Sequence, residues 1–336
     1  MGSFISCIAS NSSISCVSIV LSYIVLRNWI YPKTHHNNNG YPIVPSCVPI
    51  LGSALKFRKG KTTFLLNCRR LYGSIFNMNL LGSNFIVLTD HSYFPVVNKS
   101  SELSLRPLKT KLIHNVFGAV DSDNIPLKAQ DAIAKQLRNH FAKYLRGNPL
   151  ELLNNDCLHN FHNLFIQDKL QRNHNSNNSF PLLSWLSHLI FQTTVKTFYG
   201  DGLISESLEV NMNKLDKAFT TLCCGIPAKL IGISKPRESL HEDITVFLNS
   251  NAREYVSQLV SDRVNLYDEF NISSTDKAAH HTSFIWAMNF NTIKTTFWTI
   301  YFLLSDHAAW QKVKEEIVQN LPFSEKLNWT RDSLAR

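Results

Sequence analysis

Residues 282–304 constrain this chain more than any other stretch. They read Thr-Ser-Phe-Ile-Trp-Ala-Met-Asn-Phe-Asn-Thr-Ile-Lys-Thr-Thr-Phe-Trp-Thr-Ile-Tyr-Phe-Leu-Leu, with no glycine, no proline and a single charge, Lys294. At about 1.5 Å of rise per residue, a helix of this length crosses a whole domain. Apolar side chains occur on every side of it, which predicts burial all round. Yet its middle carries Asn289, Asn291, Thr292, Thr295 and Thr296. An amide inside a helix competes for backbone hydrogen bonds, and a buried one left unpaired costs on the order of 1–3 kcal/mol. These groups need a partner or a task. The length suits a membrane span, but Lys294 and two asparagines near the centre argue against one. A plain core helix with hydrogen-bonded asparagines stays open as the alternative.

The 336 residues allow one large or two medium domains. A content of 44% hydrophobic and 18% charged residues is that of an ordinary globular chain. The formal net charge of +9 is spread thinly, and no Lys/Arg cluster interleaves with aromatics, so nucleic acid is not an expected partner. A basic surface suits an anionic membrane face or an acidic redox partner. The seven cysteines are odd in number and form no C-x-x-C pair, which fits a reducing compartment rather than a disulfide framework. His159 and His162, and the adjacent His280 and His281, lack cysteine or carboxylate neighbours at metal-site spacing. They read as surface or cap residues, and no metal site is expected.

From the N-terminus, Phe4 to Leu26 contains no charge and reaches the length of about 20 residues a bilayer needs. Arg27 and Lys33 follow it, which predicts an anchor in residues 1–31 with the body of the chain in the cytosol. A cleaved signal peptide is the rival reading, without a basic n-region to support it. Residues 32–52 form a polar linker and a stiff segment with Pro42, Pro45 and Pro49, read as a hinge. A basic amphipathic helix over Lys61–Tyr72 ends at Gly73, and two apolar runs around Gly82-Ser83-Asn84 predict a β-hairpin. Helices are expected over 126–145, 157–170, 184–199, 210–222 and 237–260, with a polar loop over 268–279 and a last helix over 308–321 capped by Ser305-Asp306. The fold class is therefore mainly α with a small β-hairpin domain. No phosphate loop, nucleophile elbow or acidic metal cluster occurs.

This order of parts resembles the cytochrome P-450 monooxygenases. Pro45-x-x-x-Pro49-Ile50-Leu51-Gly52 is similar to their hinge, and Tyr72-Gly73-Ser74-Ile75-Phe76 with Phe85-Ile86-Val87-Leu88-Thr89-Asp90 to their first hairpin. Within the family the chain looks most like the sterol and oxysterol 7α-hydroxylases and the prostacyclin synthases. Leu103-Ser104-Leu105-Arg106 with Lys111-Leu112, Leu215-Asp216-Lys217-Ala218-Phe219 with Gly225-Ile226-Pro227, and Trp286-Ala287-x-x-x-Asn291-Thr292-Ile293 with Phe297-Trp298 carry that likeness. The resemblance implies that residues 53–336 are the N-terminal two-thirds of a cytochrome P-450 domain. The last residues lead toward a Glu-x-x-Arg helix and a haem-binding cysteine loop that this sequence does not contain.

The resemblance further implies a haem-thiolate enzyme at the endoplasmic reticulum membrane, hydroxylating a sterol or oxysterol with electrons from an NADPH-cytochrome reductase. In the family the long helix crosses the distal face of the haem. Ala287 and Asn291, at i and i+4, would share the face toward that cofactor. Ala287 would leave room, Asn291 would serve dioxygen or an ordered water as the catalytic residue, and Trp286, Ala287 and Phe290 would line the substrate. Phe290 and Met288 depart from the family pattern by their bulk. The proximal cysteine has no counterpart, so no iron ligand is expected from this chain. A membrane-tethered remnant without catalysis, and an isomerase like prostacyclin synthase, remain alternatives. For the anchor the expected outcome is simple: deleting residues 1–31 moves most of the protein out of a salt-washed membrane pellet. Protease protection of the full-length chain inside microsomes would contradict the cytosolic orientation.

Overall fold

The computed structural model describes residues 40–45, 52–80, 82–120, 125–172, 181–252 and 256–320. The expected anchor, Phe4 to Leu26, lies outside them. Among the described residues no helix is long and apolar enough to cross a membrane. The chain divides into two compact units between Ser104 and Leu105.

The first unit is built on the hairpin. Helices α1 (Ala54–Lys59) and α2 (Lys61–Tyr72) precede strands β1 (Ile75–Leu80) and β2 (Ser83–Leu88), and α3 (Phe94–Lys99) follows a short 3-10 turn. Gly73 closes α2 at φ 88°, a left-handed conformation that glycine adopts without penalty. The strands are antiparallel, with Phe76 opposite Val87 and Met78 opposite Phe85. Phe76 and Met78 point inward and pack with Phe64, Leu65 and Cys68 of α2. Asn77, on the other face of the strand, is buried as well. Its backbone pairs with the proline-rich segment: the Asn77 N–H donates to Pro42 O at 2.7 Å, and the Val44 N–H to Asn77 O at 2.8 Å. The Ser53 N–H donates to Asn79 O at 2.8 Å. Prolines lack a donor, so this segment can only lie along a strand edge, as it does here.

The second unit is helical: α4 (Arg106–Leu112), α5 (Leu127–Tyr144), α6 (Gly147–Arg172), α7 (Leu182–Tyr199), α8 (Glu206–Cys223), α9 (Ser234–Leu248), α10 (Gln258–Glu269), α11 (Ser274–Ser305) and α12 (His307–Asn320). A π-helical turn over Ile113–Phe117 extends α4 and stops at Gly118, φ 78°. The mainly helical class with one small antiparallel hairpin is the expected one. Three expectations about its parts need correction. The helix read over 237–260 is two helices, because the polar run Asn249-Ser250-Asn251 breaks it: Ser250 Oγ donates to Phe247 O at 2.8 Å and accepts from the Ala252 N–H at 3.2 Å. The polar loop read over 268–279 is mostly helix. Ser273 caps α11, its hydroxyl accepting from the Asp276 N–H at 3.2 Å, so α11 starts eight residues before the apolar run.

The third correction concerns His280 and His281, which are not surface residues. His281 is fully buried, 2.9 Å from the Tyr199 hydroxyl through Nδ1. His280 stacks on the Tyr267 ring with centroids 5.3 Å apart. Nothing in their local sequence signals this, because Tyr199 and Tyr267 arrive from α7 and α10. Arg263 is also buried, with its guanidinium 4.7 Å from the Phe284 ring and 5.3 Å from the Tyr267 ring. Burial first, and then this cation, hold both histidines neutral: His280 is pushed down to about 4 and His281 well below its ordinary value.

Between pH 6.5 and about 4 the unfolded chain binds a proton at His280 that the folded chain does not. The stability these residues confer is complete above pH 6.5 and declines as pH falls toward 4. Urea midpoints at pH 7.5, 6 and 5 are expected to fall in that order, above the carboxylate range, and a flat profile would contradict the buried placement.

Candidate functional site

Helix α11 has two faces with opposite fates. Ala278, His281, Thr282, Ile285, Asn289, Phe290 and Ile293 are buried. They pack toward α7, α9 and the π-helical turn after α4. Ala287, Asn291, Lys294, Thr295 and Trp298 are exposed. The reading of a helix buried all round is therefore corrected. Toward its C-terminal end Trp298 is 52% and Phe302 63% exposed, with Phe297, Tyr301 and Phe302 in ring contact along the surface. An all-round apolar pattern states that cover is favourable, not which element supplies it.

Several hydroxyls of α11 are satisfied within the helix. Thr282 donates to Ala278 O at 2.8 Å, Thr292 to Met288 O at 3.0 Å, Thr299 to Thr295 O at 2.9 Å and Ser305 to Tyr301 O at 2.7 Å. Asn289 behaves similarly through its amide N–H, 2.9 Å from Ile285 O. Its carbonyl oxygen, however, is buried without a hydrogen-bond partner among the described residues. Asn291 is different: its side chain stands on the open face.

The four singled-out residues thus separate into two pairs. Ala287 and Asn291 lie on the exposed stripe, one helical turn apart, with Thr295 one turn further on. Small and polar side chains line that stripe. Trp286 and Phe290 lie to the side and inward. Trp286 is half-buried and stacks on Phe219 of α8 with centroids 4.2 Å apart and planes 1° from parallel. Phe117 sits tilted against it at 5.9 Å, and the buried Phe290 stacks at 6.5 Å.

Polar atoms close this aromatic group. Trp286 Nε1 donates to Asp216 Oδ1 at 3.0 Å. Lys294 Nζ donates to the same carboxylate at 3.0 and 3.2 Å. Asp216 and Phe219 were legible only as parts of a motif. Their spacing of three on α8 and the i, i+8 spacing of Trp286 and Lys294 are the signals that could have paired them.

The thiols among the described residues lie elsewhere. Cys68, Cys157, Cys223 and Cys224 are free, and none belongs to α11. Burial pushes the Cys68, Cys157 and Cys223 thiols up, which favours the protonated form over a metal-binding thiolate. Among the described residues no group of three or more His, Cys, Asp or Glu side chains could hold a metal ion.

A family model described as Cytochrome P450 matches residues 42–223, more than half of the chain. Cytochrome P450 7B1 of Mus musculus is 27% identical over 287 residues, covering 82% of this chain and 54% of that protein. Cytochrome P450 7A1 of Rattus norvegicus is 25% identical over 291 residues, with 82% and 56% covered. Cholesterol 7-alpha-monooxygenase of Cricetulus griseus is 24% identical over 303 residues, with 86% and 58% covered. The chain spans somewhat more than half the length of these relatives.

The two asparagines predict opposite behaviours. Replacing Asn289 by the similarly shaped leucine removes an unpaired buried carbonyl. Asn289→Leu is expected to leave stability unchanged or raise it by about 1 kcal/mol in urea unfolding. A loss of that size instead would mean the carbonyl has a partner.

Proposed function

Since the chain belongs to the cytochrome P450 family, we propose that it serves a haem-thiolate monooxygenase that hydroxylates a sterol or oxysterol, with Ala287 and Asn291 of α11 facing the cofactor. The observation that carries this reading is the exposed Ala287–Asn291–Thr295 stripe on a helix whose opposite face is core. The residues present fit one side of a haem: a small side chain where the ring would approach most closely, then an amide and a hydroxyl. The family's cofactor is haem iron, which supplies oxygen activation when bound.

The chain's own residues then have distinct tasks. Ala287 sets the clearance above the cofactor. The Asn291 amide, both donor and acceptor, is free to orient a water or a proton on that face. Trp286 gives a flat apolar wall suited to a fused-ring lipid. Phe290 supports that wall from within rather than lining the open face, since it is buried. The sterol class is supported by the activities for which relatives are named, among them cholesterol 7-alpha-monooxygenase. The rest of the reading places residues 1–31 in the endoplasmic reticulum membrane and the body in the cytosol. There a net charge of +9 suits an acidic reductase supplying electrons from NADPH. Residues 32–52 would connect the two.

Hemin titration of the full chain, followed by quenching of tryptophan fluorescence, tests the face. Ala287→Trp is expected to weaken binding about tenfold or more by filling the stripe, while Asn291→Ala leaves affinity within about twofold. Equal affinity in the wild type and Ala287→Trp would move the cofactor off this face. In turnover with a reductase, by a chain extended to include the haem-binding cysteine loop, Asn291→Ala is expected to lower product formed per NADPH without lowering the urea midpoint. An unchanged ratio would remove Asn291 from the chemistry.

A further inference from the structure

Lys294 is the single charge in the long apolar stretch, and Asp216 explains it. This carboxylate is 14% exposed and accepts from two donors that lie two turns apart on α11. One is the indole N–H of Trp286. The other is the Lys294 ammonium, which also lies 5.9 Å from the Phe290 ring centre. One turn along α8 from Asp216, Phe219 lies flat on the Trp286 indole. A ring held by a coplanar partner on one side and by a hydrogen bond at its edge has lost both its tilt and its rotation about χ2.

The held ring belongs to the residue next to Ala287, so its half-exposed part borders the open stripe. The apolar stack resists separation of the two helices but does not fix their register, since stacked rings slide easily. The charged hydrogen bonds are directional, and they do fix it. Resting on the reading that Ala287 and Asn291 form the reaction face, we propose that Asp216 is a positioning residue. It latches α8 to α11 through Trp286 and Lys294 and so fixes the register of the two helices and the orientation of the Trp286 ring, beside which a bulky polycyclic substrate would lie on that face. Loosening the latch lets α8 slide, frees the Trp286 ring and so relaxes selection between a polycyclic and a small apolar ligand.

The test uses the full chain labelled with 5-fluorotryptophan, with the Trp286 resonance assigned by Trp286→Phe. Four variants are compared: Asp216→Ala, Asp216→Asn, Lys294→Met and the double variant Asp216→Asn/Lys294→Met. Asp216→Ala is expected to shift and broaden the Trp286 resonance and to speed amide hydrogen exchange across 206–223 roughly fivefold, the worth of a lost hydrogen bond. Asp216→Asn keeps an acceptor for the indole, so it is expected to rescue the resonance while losing the coupling to Lys294. Lys294 is 57% exposed, so Lys294→Met keeps the fold even if Asp216→Ala does not. It is expected to speed exchange in 206–223 alone, and the double variant is expected to exchange no faster than the more affected single one. A Trp286 resonance and an exchange pattern indifferent to Asp216→Asn and Lys294→Met would overturn the latch.

Binding of the fluorescent sterol dehydroergosterol, read by energy transfer from tryptophan, tests the consequence. Its affinity is expected to change at least threefold in Lys294→Met, with a much smaller change for the small apolar probe naphthalene. If the resonance and exchange respond but sterol affinity is unchanged, the latch holds and the selection role is overturned. If Ala287→Trp also leaves sterol affinity unchanged, the failure belongs to the assignment of the reaction face.

Discussion

The second unit depends on the burial of one half of one helix. The N-terminal part of α11 places Ala278, His281, Thr282 and Ile285 at zero exposure, where α7, α9 and the π-helical turn meet it. Burial of these side chains removes apolar surface from water, but it also traps polar atoms. The Tyr199 hydroxyl at 2.9 Å satisfies one ring nitrogen of His281, while the other has no partner among the described residues. Such an arrangement is stable only with an uncharged ring. The same pocket confines Arg263, whose charge is spread over two aromatic faces. A fixed cation and two neutral histidines are mutually consistent: the first makes a second positive charge there unfavourable.

The polar residues that made residues 282–304 unusual have three different explanations. Thr282, Thr292, Thr299 and Ser305 return their hydroxyl protons to carbonyls one turn back, which satisfies them at little cost and without any outside partner. Lys294 reaches a carboxylate on α8. Asn289 and Asn291, only two positions apart, point to opposite sides of the helix, so one is buried with half its amide unpaired and the other is open. Position on the helical wheel, not residue type, separates a structural amide from one available for chemistry.

The first unit follows a different rule. Its stability rests on period-two burial, with Phe76 and Met78 against α2, and on the backbone bonds that tie residues 42–44 and 53 to β1. The proline-rich segment still pairs with β1, because the bonds it makes there use the Pro42 carbonyl and the Val44 N–H.

Local and periodic features were legible in the sequence. The hairpin around Gly82, the helix from Lys61 to its stop at Gly73, the Asp306 cap before α12 and the mainly helical class follow from alternation, helical spacing and turn residues alone. So did the family resemblance and the i, i+4 relation of Ala287 and Asn291, because one helix fixes both. The sequence could also have revealed the start of α11, through Ser273 and Asp276. What only the tertiary structure decided is which polar residues meet across helices. Tyr199 with His281, Arg263 with Phe284, and Asp216 with Trp286 and Lys294 are separated by 82, 21, 70 and 78 positions. Such pairings depend on how helices pack, and hydrophobic periodicity specifies only that a face is covered, not by which residue. For the same reason the exposed run from Trp298 to Leu304 could not be told from the buried run before it: both are apolar, and only packing distinguishes them.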